Sequence, residues 1–362
     1  MKHRILAAVL GLVLLSASVV YGEEKPETIP HWNEDSPTME SVMAFVETVT
    51  DEESEDFVPE EERIAVFDMD GTLYGELFPT YFDECLLIHR LAHDDTFEAA
   101  EEDKEWALAA EKALLSGEAE PDSPRSGAQM AAEAFKGFTV EEYRAYVREF
   151  MEEPAAGFEG MTYGEGFYLP MLAMVEYLSD NGFTVFISSG SERSLARELT
   201  KDALGEWIPP YRVIGSTFSL EATGQEGKEG RKYDYAEEDQ VLLEGNLVQK
   251  NQRMNKVVTI VDEIGIPPVL VFGNSTGDLS MAEYAVQHGG KAYMLLCDDL
   301  ERDYGNMETA EKIAKACEKL GFETVSKRDE FETIYKTDAV KTEFTPAEPD
   351  AAEEAEEADD AA

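Results

Sequence analysis

Cysteine is scarce: Cys85, Cys297 and Cys317 are the only three in 362 residues, and they lie far apart. Three thiols cannot build a disulfide framework and leave room for one bridge at most. None sits in a nucleophile motif with a histidine partner. Basic residues are scarce as well. Lys and Arg number 30 against 78 Asp and Glu, a formal charge of −48, which excludes a basic surface for a nucleic-acid backbone. After residue 22 no apolar run is long enough to span a bilayer, and no internal repeat is present. His89 and His93 share one helix face, but no third ligand accompanies them for zinc.

What is present is apolar material for a large core, 43% of residues, with 10% aromatic. Residues 1–22 (MKHRILAAVLGLVLLSASVVYG) combine a basic start, an apolar run and small residues before the acidic EEKPE, the layout of a signal peptide cut after Gly22. The chain is therefore expected to be secreted or held at the cell envelope. Its apolar run is shorter than the ~20 residues of a span, so membrane attachment arises only if this segment stays uncleaved. The other end, 342–362, is an acidic tail with no apolar face and is expected to be disordered.

Between the ends the pattern is an α/β one. A linker and docking helix fill 23–62, with Met39, Val42, Met43, Phe45, Val46 and Val49 at helical spacing. Ile64 to Phe67 reads as a strand buried on both faces of a parallel sheet. Residues 77–165 read as helix, broken at SGEAEPDSPRSGAQ, and are expected to form an inserted helical cap. Strands and helices then alternate: YLPMLAMVEYLSDNG as helix, FTVFISSG as strand and turn, a helix from near Ser191, YRVIGSTF as strand, a hairpin turning at Glu244 to Asn246, NKVVTIVDEIG as helix, and two further strands in PPVLVFGNSTGD and KAYMLLCDD. This alternation predicts a doubly wound parallel sheet, with 63–76 and 166–341 as the core.

In such sheets ligands lie beyond the carboxyl ends of the strands, and four elements there carry chemistry. Asp68 and Asp70, one residue apart after IAVF, suit covalent catalysis with a separate acid and base. Ser189 and Gly190 end a strand before a helix start, an anion site of hydroxyl and backbone amides. Lys256, with Lys250 as rival, can neutralise phosphoryl oxygens. Asn274 and Asp278 follow another buried strand and offer oxygen ligands suited to Mg²⁺. Each element alone also reads as a turn, a cap or a surface charge.

Taken in order, DMDGT, the strand ending in Ser189, Lys256 and GNSTGD resemble the four motifs of the haloacid dehalogenase superfamily of phosphatases, from about Arg63 to Ala292. IPHWN, RIAVFD, YLPMLAMVEYL and PPVLVFGNSTGD are similar to its exported bacterial branch, near the phosphoserine and phosphorylcholine phosphatases. The resemblance implies a Mg²⁺-dependent phosphomonoesterase acting on a small organic phosphate. Asp68 would be nucleophile and metal ligand, and Asp70 general acid and base, lending the metal its backbone carbonyl. Thr72 and Ser189 would orient the phosphate, Lys256 would hold it, and Asn274, supported by Asp278 and Ser275, would bind the metal. Lys256 is preferred to Lys250 for its 18-residue distance to Asn274. Asn274 departs from the Asp of many relatives and removes one charge from the metal site.

Within the superfamily, Asp70 favours phosphoryl transfer over dehalogenation. A phosphonate-cleaving relative would need a cap lysine, and nothing singles out Lys104, Lys112 or Lys136. From another class, an acidic binding protein on a degenerate hydrolase scaffold remains the alternative. Glu76 and Tyr81 read as contacts to an amine-bearing substrate or as helix-start and packing residues.

Overall fold

The computed structural model describes residues 28–76 and 80–344; the signal segment and most of the acidic tail lie outside these. The strands are β1 (Ile64–Phe67), β2 (Phe158–Glu159), β3 (Thr184–Glu192), β4 (Val213–Ala222), β5 (Val241–Gln249), β6 (Leu270–Gly273), β7 (Lys291–Leu296), β8 (Glu323–Ser326) and β9 (Val340–Lys341). The helices are α1 (Pro37–Thr50), α2 (Phe82–Ala92), α3 (Glu101–Ser116), α4 (Gly127–Ala134), α5 (Val140–Met151), α6 (Leu169–Asp180), α7 (Arg193–Leu199), α8 (Lys201–Leu204), α9 (Met254–Thr259), α10 (Leu279–Gln287), α11 (Met307–Leu320) and α12 (Lys327–Glu330).

Every residue of IAVF is buried, as an apolar run without alternation requires. β1 pairs in parallel with β3 on one side and β6 on the other, at the centre of a seven-stranded sheet ordered β5-β4-β3-β1-β6-β7-β8. Only β5, at the edge, runs antiparallel. Successive residues of β1 face opposite layers: Ile64 and Val66 pack with Met281, Ala285 and Ile313, whereas Ala65 and Phe67 join the larger core that includes Val42, Val46, Met174 and Tyr293. Phe67, Phe272 and Tyr293 stack across three neighbouring strands, 4.5 and 5.1 Å apart. Helices cover both faces, so the doubly wound α/β expectation holds. The docking helix is α1, capped by Ser36, with Met39, Val42, Val46 and Val49 buried.

Four helices, α2 to α5, fill the stretch between β1 and α6, broken over 117–126 where Gly117 ends α3 at φ +75°. Arg90 is buried among them, paired with Asp94 and ringed by Phe97, Phe135, Phe138 and Tyr146. The turn between α4 and α5 is stitched to the sheet edge: Gly137 N donates to Leu243 O and Leu243 N to Phe138 O, both at 2.8 Å. The far end of the chain returns to this region, as β9 pairs with β2.

Two local expectations are corrected. No hairpin turns at Glu244 to Asn246, because 241–249 is one strand and Gly245 takes φ +98° within it, its α-carbon set against Lys136. A glycine that reads as a turn here serves close packing in an irregular edge pair. The helix expected from Ser191 begins at Arg193, because β3 continues to Glu192, which pairs with Ser216. The β8 and α12 elements were not legible in the sequence.

Candidate active site

The carboxyl ends of β1, β3 and β6 converge on one cleft, as parallel strands feeding loops on one side require. It is lined by Asp68, Asp70, Gly190, Lys256, Asn274 and Asp278, with Tyr81, Asp83, Ser191, Lys250, Gln252, Ser275 and Gly277. Thr72 and Ser189 are fully buried behind this wall.

Lys256 Nζ lies 2.5 Å from Asp68 Oδ1, 2.7 Å from Asp278 Oδ1 and 2.5 Å from the carbonyl of Ser188. It is 2% exposed. Burial alone would depress its pKa, but the Asp278 and Asp68 carboxylates outweigh that and hold it raised. Lys256, not Lys250, is thus the lysine on Asp68. Lys250 stands at the rim, 3.9 Å from Asp83.

The two acids differ in surroundings. Burial, then the charge of Asp278, pushes Asp68 up to about 7 while Lys256 opposes the rise. Burial, then the charges of Asp83 and Asp68, pushes Asp70 up to about 8 against the hydrogen bond from Ser191. Ser191 Oγ donates to Asp70 Oδ2 at 2.9 Å and Ser189 Oγ at 3.4 Å. A carboxyl so placed keeps its proton near neutral pH.

Asp278 braces the loop after β6. Its Oδ2 accepts from Asn274 N, Ser275 N and Ser275 Oγ at 3.0 to 3.1 Å, and its Oδ1 faces Lys256. Gly273 lets it in, since a Cβ there would lie 2.6 Å from Asp278 Cβ. Asn274 donates Nδ2 to Glu76 Oε1 at 2.8 Å. Burial raises the Glu76 carboxyl, and the charge of Lys327 opposes this.

The fit to a cation can be read from what lacks a partner. Asp70 Oδ1, Thr72 Oγ1 and Asn274 Oδ1 are buried without a hydrogen bond. Buried polar atoms ordinarily have one, and oxygens at two adjacent strand ends suit a hard divalent ion. Among the described residues no group of three or more His, Cys, Asp or Glu could hold a metal, so a set here needs Asn274 and backbone oxygen. The His89/His93 pair forms no such group either, and His93 Nε2 lies 2.9 Å from Glu111.

The helix start after Ser189 offers no open anion site, because the Glu192 carboxylate accepts from Ser194 N and Leu195 N. Sequence reasoning missed Ser191, Asp83, Gln252 and Asn251. Asn251 is buried and ties the site together: its Nδ2 donates to Ser188 Oγ and Ser189 O, its N to Ser216 Oγ, and its Oδ1 accepts from Thr259 Oγ1. Only its nearness to Lys250 and Lys256 in the sequence could have drawn notice. Arg253, two residues on, takes φ +54°, its N–H bound to Gly277 O. That positive φ in a non-glycine residue joins the lysine loop to the loop after β6.

None of the curated proteins matches the sequence. Solved structures similar to the chain include a conserved functionally unknown protein from Anaerococcus prevotii DSM 20548, 13% identical, covering 79% of this chain and 92% of its own at a TM-score of 0.47. Others are a phosphoserine phosphohydrolase-like protein from Francisella tularensis subsp. tularensis SCHU S4 (11%, 73% and 94%, 0.38) and cytosolic 5'-nucleotidase IIIB bound to cytidine (13%, 87% and 88%, 0.42). At these scores the likenesses carry no argument about chemistry. The haloacid dehalogenase-like hydrolase family model matches residues 65–283, more than half of the chain and the whole span from Asp68 to Asp278. The chain belongs to the haloacid dehalogenase-like hydrolases.

Proposed function

We propose that this hydrolase is a Mg²⁺-dependent phosphomonoesterase acting on a small organic phosphate through a phosphoryl group held transiently on Asp68. The observation that carries the reading is the pair of buried carboxyls one residue apart, Asp68 ion-paired with Lys256 and Asp70 held by the hydroxyl of Ser191. A Asp68 carboxylate oxygen attacks phosphorus, and the bond to the ester oxygen breaks as Asp70 gives that oxygen its proton. Water then attacks the phosphorus of the aspartyl phosphate. Asp70 takes a proton from that water, inorganic phosphate leaves and Asp68 is restored.

Lys256 balances the charge of Asp68 before the ester arrives and of the phosphoryl group afterwards. Ser191 and Ser189 keep Asp70 turned toward the cleft. Asp68, the Asp70 backbone carbonyl and Asn274 Oδ1 would hold Mg²⁺, with Asp278 bracing the loop; the ion supplies positive charge for the phosphate oxygens. Gly190 at the cleft wall and Thr72, whose buried Oγ1 has no partner, would orient the phosphate, with Ser189 acting through Asp70, and α2 to α5 would act as the cap that selects the alcohol. The enzyme works outside the cytoplasm, a reading supported by residues 1–22 alone. Among the described residues no helix is long and apolar enough to cross a membrane.

The test is phosphate release from p-nitrophenyl phosphate with and without Mg²⁺, by the intact chain and by Asp68→Asn. Turnover that needs Mg²⁺ and disappears in the variant is expected. A folded chain inert toward a broad panel of phosphate esters would shift the reading to a binding protein on this scaffold.

A further inference from the structure

Position 274 offers the cleft an amide where a carboxylate would ligate from either oxygen, and an amide can face the wrong way. Its Oδ1 can bind a cation and its Nδ2 cannot. Something must therefore set its orientation. Nδ2 donates to Glu76 Oε1 at 2.8 Å, while Oδ1 is buried with no protein partner. In this contact Glu76 Oε1 is the acceptor and Nδ2 the donor, so the pairing selects the amide orientation that leaves Oδ1 toward the cleft.

Gly71 makes the contact possible. A Cβ there would lie 1.9 Å from Asn274 Nδ2 and 2.8 Å from Glu76 Oε1, and Gly71 holds φ +79°, where L side chains rarely settle. The turn after β1, the glutamate that closes it and the loop after β6 thus form one unit, bridging residues 198 apart in sequence. Asn274 is held on its other side by its backbone N–H on Asp278.

We propose that Glu76 is a positioning residue that fixes Asn274 with Oδ1 presented to the divalent cation. The proposal rests on the cation reading of the cleft. If it holds, Gln at 76 with Asp at 274 rebuilds the same unit: one donor, one acceptor, one negative charge. Asp at 274 facing Glu76 sets two acceptors against each other at hydrogen-bond distance.

The test is Mn²⁺ binding to the intact chain, read as the loss of the free-ion electron paramagnetic resonance signal, with circular dichroism to check folding. Glu76→Gln frees the amide to adopt two orientations of similar energy, and halving the competent population weakens binding about twofold. In the Asn274→Asp background the same change is expected to tighten binding about tenfold, the sign reversal of a directly coupled pair. Simple charge counting predicts otherwise, because removing a negative charge near a cation weakens binding in both backgrounds. Weakening in both backgrounds, or no effect in either, overturns the role of Glu76. Should Asn274→Asp fail to fold, the double variant still decides: recovery of the native circular dichroism in it supports the coupled pair, and a double variant that also fails to fold overturns it. A wild-type chain that takes up no Mn²⁺ overturns the cation reading itself, an outcome distinct from wild-type binding without the reversal.

Discussion

Two lysines are buried among the described residues, and they serve opposite purposes. Lys327 lies 2.9 Å from Asp303 Oδ2 and 2.7 Å from Tyr168 OH; Tyr168 OH donates to the same carboxylate at 2.7 Å, and Tyr335 OH and Tyr304 N reach its other oxygen at 3.0 and 2.9 Å. Against burial, the charge of Lys327 and these donors hold the Asp303 carboxyl below its usual range. Lys256 instead faces two carboxylates, and elsewhere in the same site Asp70 Oδ1, Thr72 Oγ1 and Asn274 Oδ1 are buried without hydrogen-bond partners. The first group is satisfied and acts as a strut. The second is under-satisfied, and that deficit gives it capacity to receive a charged ligand.

Several substitutions sharpen or break this contrast. The largest effect is expected from Asp68→Asn, which should lower phosphate release by roughly 10³-fold or more yet leave the unliganded fold as stable or more so. Burial disfavours the ionised acid that it replaces, and melting with chelator present checks the second half. Lys327→Met strands the Asp303 carboxylate and should cost about 3–5 kcal/mol in denaturant unfolding; a loss under about 1 kcal/mol would remove the distinction between strut and site.

The pH dependence should differ between the two groups as well. Burial pushes the Asp68 carboxyl up to about 7 and that of Asp70 up to about 8, above the usual carboxylate range. The native state therefore binds more protons than the unfolded state, and stability declines as pH rises from about 4 to about 8. Asp303 has the opposite sign: its contribution is complete above the unfolded pKa and fades as pH falls through the lower folded one. Melting temperatures of the metal-free chain across this range, compared with those of an Asp68→Asn, Asp70→Asn double variant, should show the decline flattened in the variant. The smallest effect is expected from Ser191→Ala. Losing a donor that favours ionised Asp70 should raise its pKa further, shift the basic limb of the kcat profile upward and slow turnover about tenfold.

The proposed site positions were legible because each follows an apolar run that reads as a central strand: Asp68 and Asn274 stand where chain leaves sheet, and Ser189 where the pairing of β3 with β4 becomes irregular. Contacts across the sheet were not. Glu76 meets Asn274 only after two strands pair in register, and Asn251 gains its partners from β3, β4 and α9 together. The start of α7 was misplaced by two residues because a serine at a strand end reads as a cap, whereas the cap is Glu192. Gly245 misled for a related reason: glycine marks tight places as readily as turns.

The stitching of residues 137–138 to Leu243 bears on how the cleft can open. A rigid swing of α4 and α5 away from the sheet would break both backbone hydrogen bonds and bare the edge of β5. Opening on that side is therefore an act of local unfolding rather than a hinge rotation. If product departs by that side, its dwell time should shorten steeply with temperature, as the fraying of a strand does, and weakening the β5 edge would speed release while leaving the carboxyl pair untouched.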